Sequence, residues 1–250
     1  MDCSPQQWSL QRAFLAAFVV VAACGVVWAQ DRTPDPDAPI QLPKPDDNVS
    51  TAGLTSDKDG WIALAPLVQT DRDLQDAGWE WDGQSAVFSA GKPRALVSIP
   101  VRIAGSYELQ ARVTITRAKE VTAIYLPIAG TRAVILGMKG DRGNSESPTA
   151  TIRLSGLKPE AEPPGDVSMK IGNEYALSCK VLVDGNMVAV EVRRDGRVLF
   201  QWAGDVTQVA EQSLMRAGTV QLETAYYSTS QFTDLRLRML SGKVVPLPRR

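Results

Sequence analysis

The chain has 250 residues, 44% of them hydrophobic, and a net charge of −1; that is enough apolar content for a full core and too little charge for a nucleic-acid partner. It contains no histidine, which excludes Ser-His-Asp and Cys-His catalysis and the common zinc ligand sets. Any catalysis would run on carboxylates, Lys, Tyr or Arg.

Residues 13–29 form an apolar run of 17 behind Arg12. Its length, basic flank and small-x-small ending at Val27-Trp28-Ala29 are those of a secretory signal peptide spanning 1–29. Two alternatives stay open. Val21-Ala22-Ala23-Cys24-Gly25 resembles a lipobox, so the signal would end before Cys24 and leave a lipid on that residue, or the run remains as a short membrane anchor. All three put the rest of the chain outside the cytoplasm, secreted, periplasmic or surface-tethered. Residues 30–60 carry five prolines and seven acids against three bases, the composition of a disordered linker. With cleavage after Ala29, Cys179 is the one remaining cysteine of three; no intrachain disulfide forms, and its place in an apolar alternation makes it a buried, inert thiol.

From Trp61 the pattern turns to short strands with turn signals every 8–12 residues and no sustained helical period. Expected strands are Ala86–Ser89, Ala95–Val101, Ser106–Arg117, Val121–Leu126, Arg132–Gly137 and Ala150–Leu154. In the clearest of them, Tyr107, Leu109, Ala111, Val113 and Ile115 alternate with polar residues, giving one core face and one wet face. Glu174–Trp202 reads as a three-stranded meander closed by Asp184-Gly185-Asn186 and Asp195-Gly196. There Tyr175, Leu177, Cys179, Val181, Val183, then Val188, Val190, Val192, then Val198, Phe200, Trp202 form the apolar sets. One helical turn is expected near Val209–Met215, then closing strands in TVQLETAYYS and QFTDLRLRML, and a frayed tail over 243–250. The architecture is therefore all-β: a two-sheet antiparallel β-sandwich spanning 61–242 after the signal segment and linker.

Several short stretches resemble the extracytoplasmic domains of the 3-keto-disaccharide hydrolase family, in the versions common in planctomycetes. They are Trp61…Leu67 with Asp71-Arg72-Asp73, Gly78-Trp79, Asp82-Gly83, Ile99-Pro100, Gly105-Ser106-Tyr107-Glu108-Leu109, Leu126-Pro127…Gly130, Asp195-Gly196…Trp202…Gly204-Asp205 and the ending QFTDLRLRMLSG. The resemblance covers about residues 61–242 and implies a concanavalin A-like jelly roll. Glycoside cleavage is the activity that it implies.

The residues themselves point more weakly to a site. Glucanases of this fold carry E-x-D-x-x-E on one strand, and no such pattern is present; Arg193 follows Glu191 where a second acid would stand. Glu191 and Glu223 are the candidate catalytic acids, provided that they meet across neighbouring strands at the separation glycoside cleavage requires. Candidate ligand-binding residues are Tyr125, Trp202 and Tyr227, aromatic rings able to stack on a sugar. Arg132, Arg193 and Arg197 are candidates for a carboxylate or a charged glycan. Adjacent Tyr226 and Tyr227 in one strand would send their rings to opposite faces. Asp141, Asn144 and Glu146 share a polar loop able to offer oxygens to Ca²⁺, the one cofactor considered. The expected function is a lectin-like module binding carbohydrate or a cell-envelope component without catalysis. The alternatives are a glycoside hydrolase acting on 3-keto-glycosides, and a structural or protein-interaction module of the envelope.

Overall fold

The computed structural model describes residues 49–248, apart from 74–78, 82, 84–85, 89–93, 141–147, 162, 164, 214 and 226. The residues expected to form a signal segment, and most of those expected to form a linker, lie outside the described residues.

Sixteen strands form among the described residues. They are β1 (Trp61–Ala63), β2 (Trp79–Trp81), β3 (Ala86–Phe88), β4 (Arg94–Ser98), β5 (Val101–Ala104), β6 (Tyr107–Arg117), β7 (Val121–Ala129), β8 (Arg132–Gly140), β9 (Thr149–Ser155), β10 (Ser168–Lys170), β11 (Glu174–Asp184), β12 (Met187–Arg194), β13 (Arg197–Asp205), β14 (Gln221–Ala225), β15 (Thr229–Met239) and β16 (Lys243–Pro246). The larger sheet has eight strands, ordered β13-β12-β11-β6-β15-β3-β2 with β1 also on β15, and the smaller has six, ordered β10-β9-β8-β7-β14-β4. All pairings between strands of these two sheets are antiparallel. Consecutive β6 and β7 sit in different sheets, β6 between β11 and β15 and β7 between β8 and β14. These nested returns make the sandwich a jelly roll.

The core lies between the sheets. Leu109, Val113 and Ile115 from β6 meet Ile124 and Leu126 from β7, Val190 and Val192 from β12, and Leu222 from β14, all essentially solvent-free. The predicted alternation accounts for this: each second residue of β6, β11 and β12 is apolar, so one face of each strand enters the core. Cys179 is among these residues, and burial pushes its thiol up to about 12.

Elsewhere the structure departs from expectation. β13 carries a bulge opposite Val192 and Arg193, so Leu199 is buried while Val198 is only half-buried; strict alternation had put Val198 inside. The run expected as one strand over Ala95–Val101 breaks at Ile99-Pro100 into β4 and β5. In place of a helical turn near Val209–Met215, a 3-10 turn spans Val206–Gln208, capped by Asp205, and extended bridges follow at Val209 and Glu211. Both ends of the domain are longer than predicted. The tail is not frayed: β16 pairs with β5, and Val244 and Leu247 are buried. Residues 49–60, read as linker, are tied down as well. The Ser50 amide donates to the Gly242 carbonyl at 3.1 Å, and Asp57 accepts from the Trp61 amide at 2.8 Å. Proline and acid counts cannot see such backbone pairing.

One irregularity shapes the outer face of the larger sheet. On β15, Asp234 and Leu235 both lie opposite Ala111, because Thr233 pairs with Arg112 and Arg236 with Gln110. Asp234 takes a left-handed backbone, φ +48°, as the extra residue of a β-bulge. The extra residue shifts the parity of the strand. Phe232 faces the core, and after the bulge Leu235, Leu237 and Met239 do so, which turns Arg236 and Arg238 outward.

Candidate functional site

The outward face of the larger sheet is built in rows set by strand register. One row runs Gln201, Glu191, Lys180, Glu108, Arg238 and Trp61, across β13, β12, β11, β6, β15 and β1. The next runs Arg193, Ser178, Gln110, Arg236 and Ala63. β11 contributes small side chains here, Ala176 and Ser178, between long ones on both neighbours. A depression of about 520 Å³ results, floored by β11 and walled by Glu191 and Arg193 on one side and by Glu108, Gln110 and Arg236 on the other.

The walls are hydrogen-bonded networks. Glu191 accepts from Arg193 Nε at 2.7 Å and from Gln201 Nε2 at 2.9 Å. Glu108 accepts from Gln110 Nε2 at 3.0 Å, Ser178 Oγ at 2.9 Å and Arg238 Nη2 at 2.8 Å. Arg236 in turn donates twice to Gln110 Oε1, at 3.1 and 2.8 Å. Burial pushes the Glu108 carboxyl up, but the hydrogen bonds from Gln110, Arg238 and Ser178 and the Arg238 charge outweigh it and hold it below the usual range. Glu191 behaves alike: burial raises it, and the bonds from Arg193 and Gln201, with the charges of Arg193 and Lys180, bring it lower. Both carboxylates are therefore ionised at neutral pH and their side chains are fixed.

A second depression of about 810 Å³ adjoins the first, sharing Asp234 and Arg236, and is lined by Trp61, Ala63, Ala65 and Pro66 together with Thr55 and Ser56. Trp61 is not part of the main core. Its ring lies under two guanidinium groups, Arg238 at 4.6 Å and Arg236 at 4.9 Å from the centroid, a cation–π arrangement on the outer face.

The two acids expected as a catalytic pair are not brought together. Glu191 faces outward from the larger sheet and Glu223 outward from the smaller one, since its neighbour Leu222 points into the shared core. Packed sheets stand about 10 Å apart, and both side chains project away from the gap, so the separation exceeds the ~5–9.5 Å that glycoside cleavage uses. Glu223 instead accepts a hydrogen bond from Tyr125 in a buried cluster with Ala123, Ala133 and Met215. Tyr125 is thus not free to stack on a sugar. The segment after β13 covers this face. Arg132 anchors it, donating to the Val209 carbonyl and to Glu211 at 3.1 Å, and the Gln212 amide donates to Thr131 at 3.0 Å.

Trp202, the other aromatic candidate, is in the main core opposite Val190. Gly204 makes room for it: a Cβ there would stand 2.7 Å from the indole. Tyr227 is exposed, but it lies in a turn with φ +66° beyond the end of β14, with Lys119 5.1 Å from its ring centroid. The strand that was to carry both tyrosines ends at Ala225, and Tyr226 lies outside the described residues. Glu191 and Arg193 are the predicted residues that the site does contain, whereas Arg197 is exposed at the start of β13 and outside the depression. Asp141, Asn144 and Glu146 also lie outside the described residues; among those described, no group of three or more His, Cys, Asp or Glu is placed to hold a metal. The reading of single strands missed Glu108, Gln110, Ser178, Arg236 and Arg238. Their signal was the polar half of three alternating strands, which becomes a site only when β11, β6 and β15 are known to be neighbours.

No protein-family model matches the sequence, and no curated protein matches it. Solved structures with similar backbones include the exoplasmic/lumenal domain of VIP36 in a Ca²⁺/Man3GlcNAc-bound form, at 6% identity and TM-score 0.41 over 74% of this chain and 88% of that one. A basic winged bean lectin with Tn-antigen is similar at 12% identity and TM-score 0.42, over 71% and 96%. A xylan β-1,4-xylosidase from Bacillus halodurans C-125 is similar at 11% and TM-score 0.44, over 75% of this chain and 40% of that one. Likeness at this level does not say which residues act.

Proposed function

We propose that this chain is a non-catalytic carbohydrate-binding module of an extracytoplasmic protein, and that it takes a saccharide on the outward face of its larger sheet. The observation that carries this reading is the depression over Ala176 and Ser178, whose walls present guanidinium, carboxamide and carboxylate groups already held by one another. Concave sites with a few rigidly placed polar groups suit a polyhydroxylated ligand, because each group meets a hydroxyl without first losing its rotamer freedom. Extracytoplasmic placement rests on the apolar run at residues 13–29. The hydrolytic function implied by the family resemblance has less support. General acid catalysis needs a carboxyl kept protonated near neutral pH, and the two acids of this face are both held below the usual range. Lys180 also stands between them in the cross-strand row.

A glycan array followed by calorimetry on the hits tests the reading, with Ser178→Trp as the blocking variant. The indole fills the floor of the depression from an outward position, so binding is lost while the melting temperature stays within a few degrees of wild type. Absence of any glycan ligand for the wild type, or wild-type affinity in a folded Ser178→Trp variant, overturns it.

A further inference from the structure

One residue lining the depression is a cation whose ammonium the surrounding hydrogen-bond network does not engage. Lys180 stands between Glu191 on β12 and Glu108 on β6 in the cross-strand row; its charge helps to lower the Glu191 carboxyl, yet among the described residues its side chain forms no close ion pair and no hydrogen bond. The reason lies in its neighbours. Each oxygen of Glu191 accepts a bond from another residue, Arg193 or Gln201, and each oxygen of Glu108 does so from Ser178, Gln110 or Arg238. Two carboxylates that would ordinarily capture a lysine are turned to other partners. The depression is lined by five cationic side chains, Lys180 among them, and three carboxylates; Arg112 also pairs with Glu174 at 2.8 Å beside the lining, which leaves an excess of one positive charge. An ammonium with three donors to offer, on a concave surface of net positive charge, is a receptor for an anion.

We infer that the ligand of this face is an acidic saccharide, carrying carboxylate or sulfate groups, and that Lys180 pairs with one of these groups. The inference rests on the reading of the face as a saccharide site and deepens it. Arg193 and Arg236, in the row beside Lys180, flank the same anion from both walls. Glu108 and Glu191 keep their guanidinium and amide donors in place rather than meeting the ligand themselves. A neutral sugar would leave the ammonium solvated and draw nothing from the charge excess.

The test uses the full chain and polymers that differ in charge alone. Polygalacturonate is compared with its methyl ester, and dextran sulfate with dextran, by calorimetry or affinity electrophoresis. The charged member of at least one pair binds about tenfold more tightly than its neutral counterpart, as one charge-assisted bond implies, and the preference shrinks in 0.5 M salt. Which pair shows it separates carboxylate from sulfate. Lys180→Gln removes most of the preference and keeps the melting temperature, whereas Lys243→Gln on exposed β16 leaves both unchanged. Equal binding of charged and neutral polymers overturns the inference while leaving the saccharide reading standing. A charge preference that survives Lys180→Gln also overturns it. If no polymer and no arrayed glycan binds, both fall together.

Discussion

The two outward faces of the sandwich start from the same alternation and end differently. On the smaller sheet, Ala123, Tyr125, Ala133 and Glu223 point away from the core and the chain after β13 folds back over them, burying all four, while Thr151 and Arg153 farther out on β9 stay exposed. On the larger sheet, the corresponding positions are Glu108, Gln110, Ser178, Lys180, Glu191 and Arg236, and nothing among the described residues covers the depression between them. Period-two patterning assigns a side chain to the core or to the other face. Whether that other face is wet is decided by which segment crosses it, and the crossing is a tertiary fact. The contrast also places chemistry. A Tyr–Glu contact sealed under a loop is structural, and an open lattice of charged and amide groups is available to a ligand.

Variants on the covered face are expected to change stability without touching ligand affinity. Tyr125→Ala removes a buried ring and the hydroxyl donor to Glu223; a loss of about 3 kcal/mol is expected, at the low end for large aromatic truncations, readable in urea denaturation. A Tyr125→Ala protein that folded as well as wild type but bound its glycan poorly would invert the comparison. On the open face, Glu108→Gln keeps the shape and removes the charge that pairs with Arg238. The cost is about 1.5–2 kcal/mol, the low end of the range for hydrogen bonds to charged groups, accompanied by weakened binding as Arg238 and Gln110 lose their anchor.

Acid should act on the open face through the same groups. Glu108 and Glu191 both titrate lower in the folded chain than in the unfolded one. Their contribution is therefore complete above the ordinary carboxylate range, roughly pH 5, and is lost as pH falls through the depressed folded values. Melting temperature followed from pH 6 to pH 3 falls less steeply in Glu191→Gln than in wild type; parallel curves would show that Arg193 and Gln201 do not favour the ionised form. The smallest effect is expected at Tyr227, exposed in its turn: Tyr227→Ala changes stability by no more than about 0.5 kcal/mol, and glycan affinity is unaltered by calorimetry.

Much of the sandwich was readable from residue order alone. β6, β11 and β12 announce themselves through Tyr107–Ile115 and Tyr175–Val192, and the inert Cys179 follows from its place in that series. What escaped were features fixed by pairing rather than by local pattern. Val198 and Leu199 exchange roles because of a bulge, and β16 forms because β5 offers an open edge. Trp202 drew attention as an aromatic near the end of a meander, yet its parity with Val190 and the missing side chain at Gly204 put it inside. Trp61 escaped too: it packs on the outer face of the larger sheet, under Arg236 and Arg238. The candidate site was the least legible part, since its rows run perpendicular to the chain and draw on five or six strands at once.

The extra residue at Asp234 works on β15 as a frameshift works on a message. Everything before it is read in one phase and everything after it in the other. Continued alternation through position 234, with no bulge, would bring Arg236 and Arg238 into the phase that faces the core and Leu235, Leu237 and Met239 into the phase that faces water. Loss of the residue itself would not, because Thr233, Leu235 and Arg236 would then stand in unbroken register opposite Arg112, Ala111 and Gln110. The identity of residue 234 is negotiable within the small set that tolerates a left-handed backbone, and so is its presence. What the strand keeps is the outward phase of 236 and 238, which the bulge secures by looping out the one residue that β6 does not match.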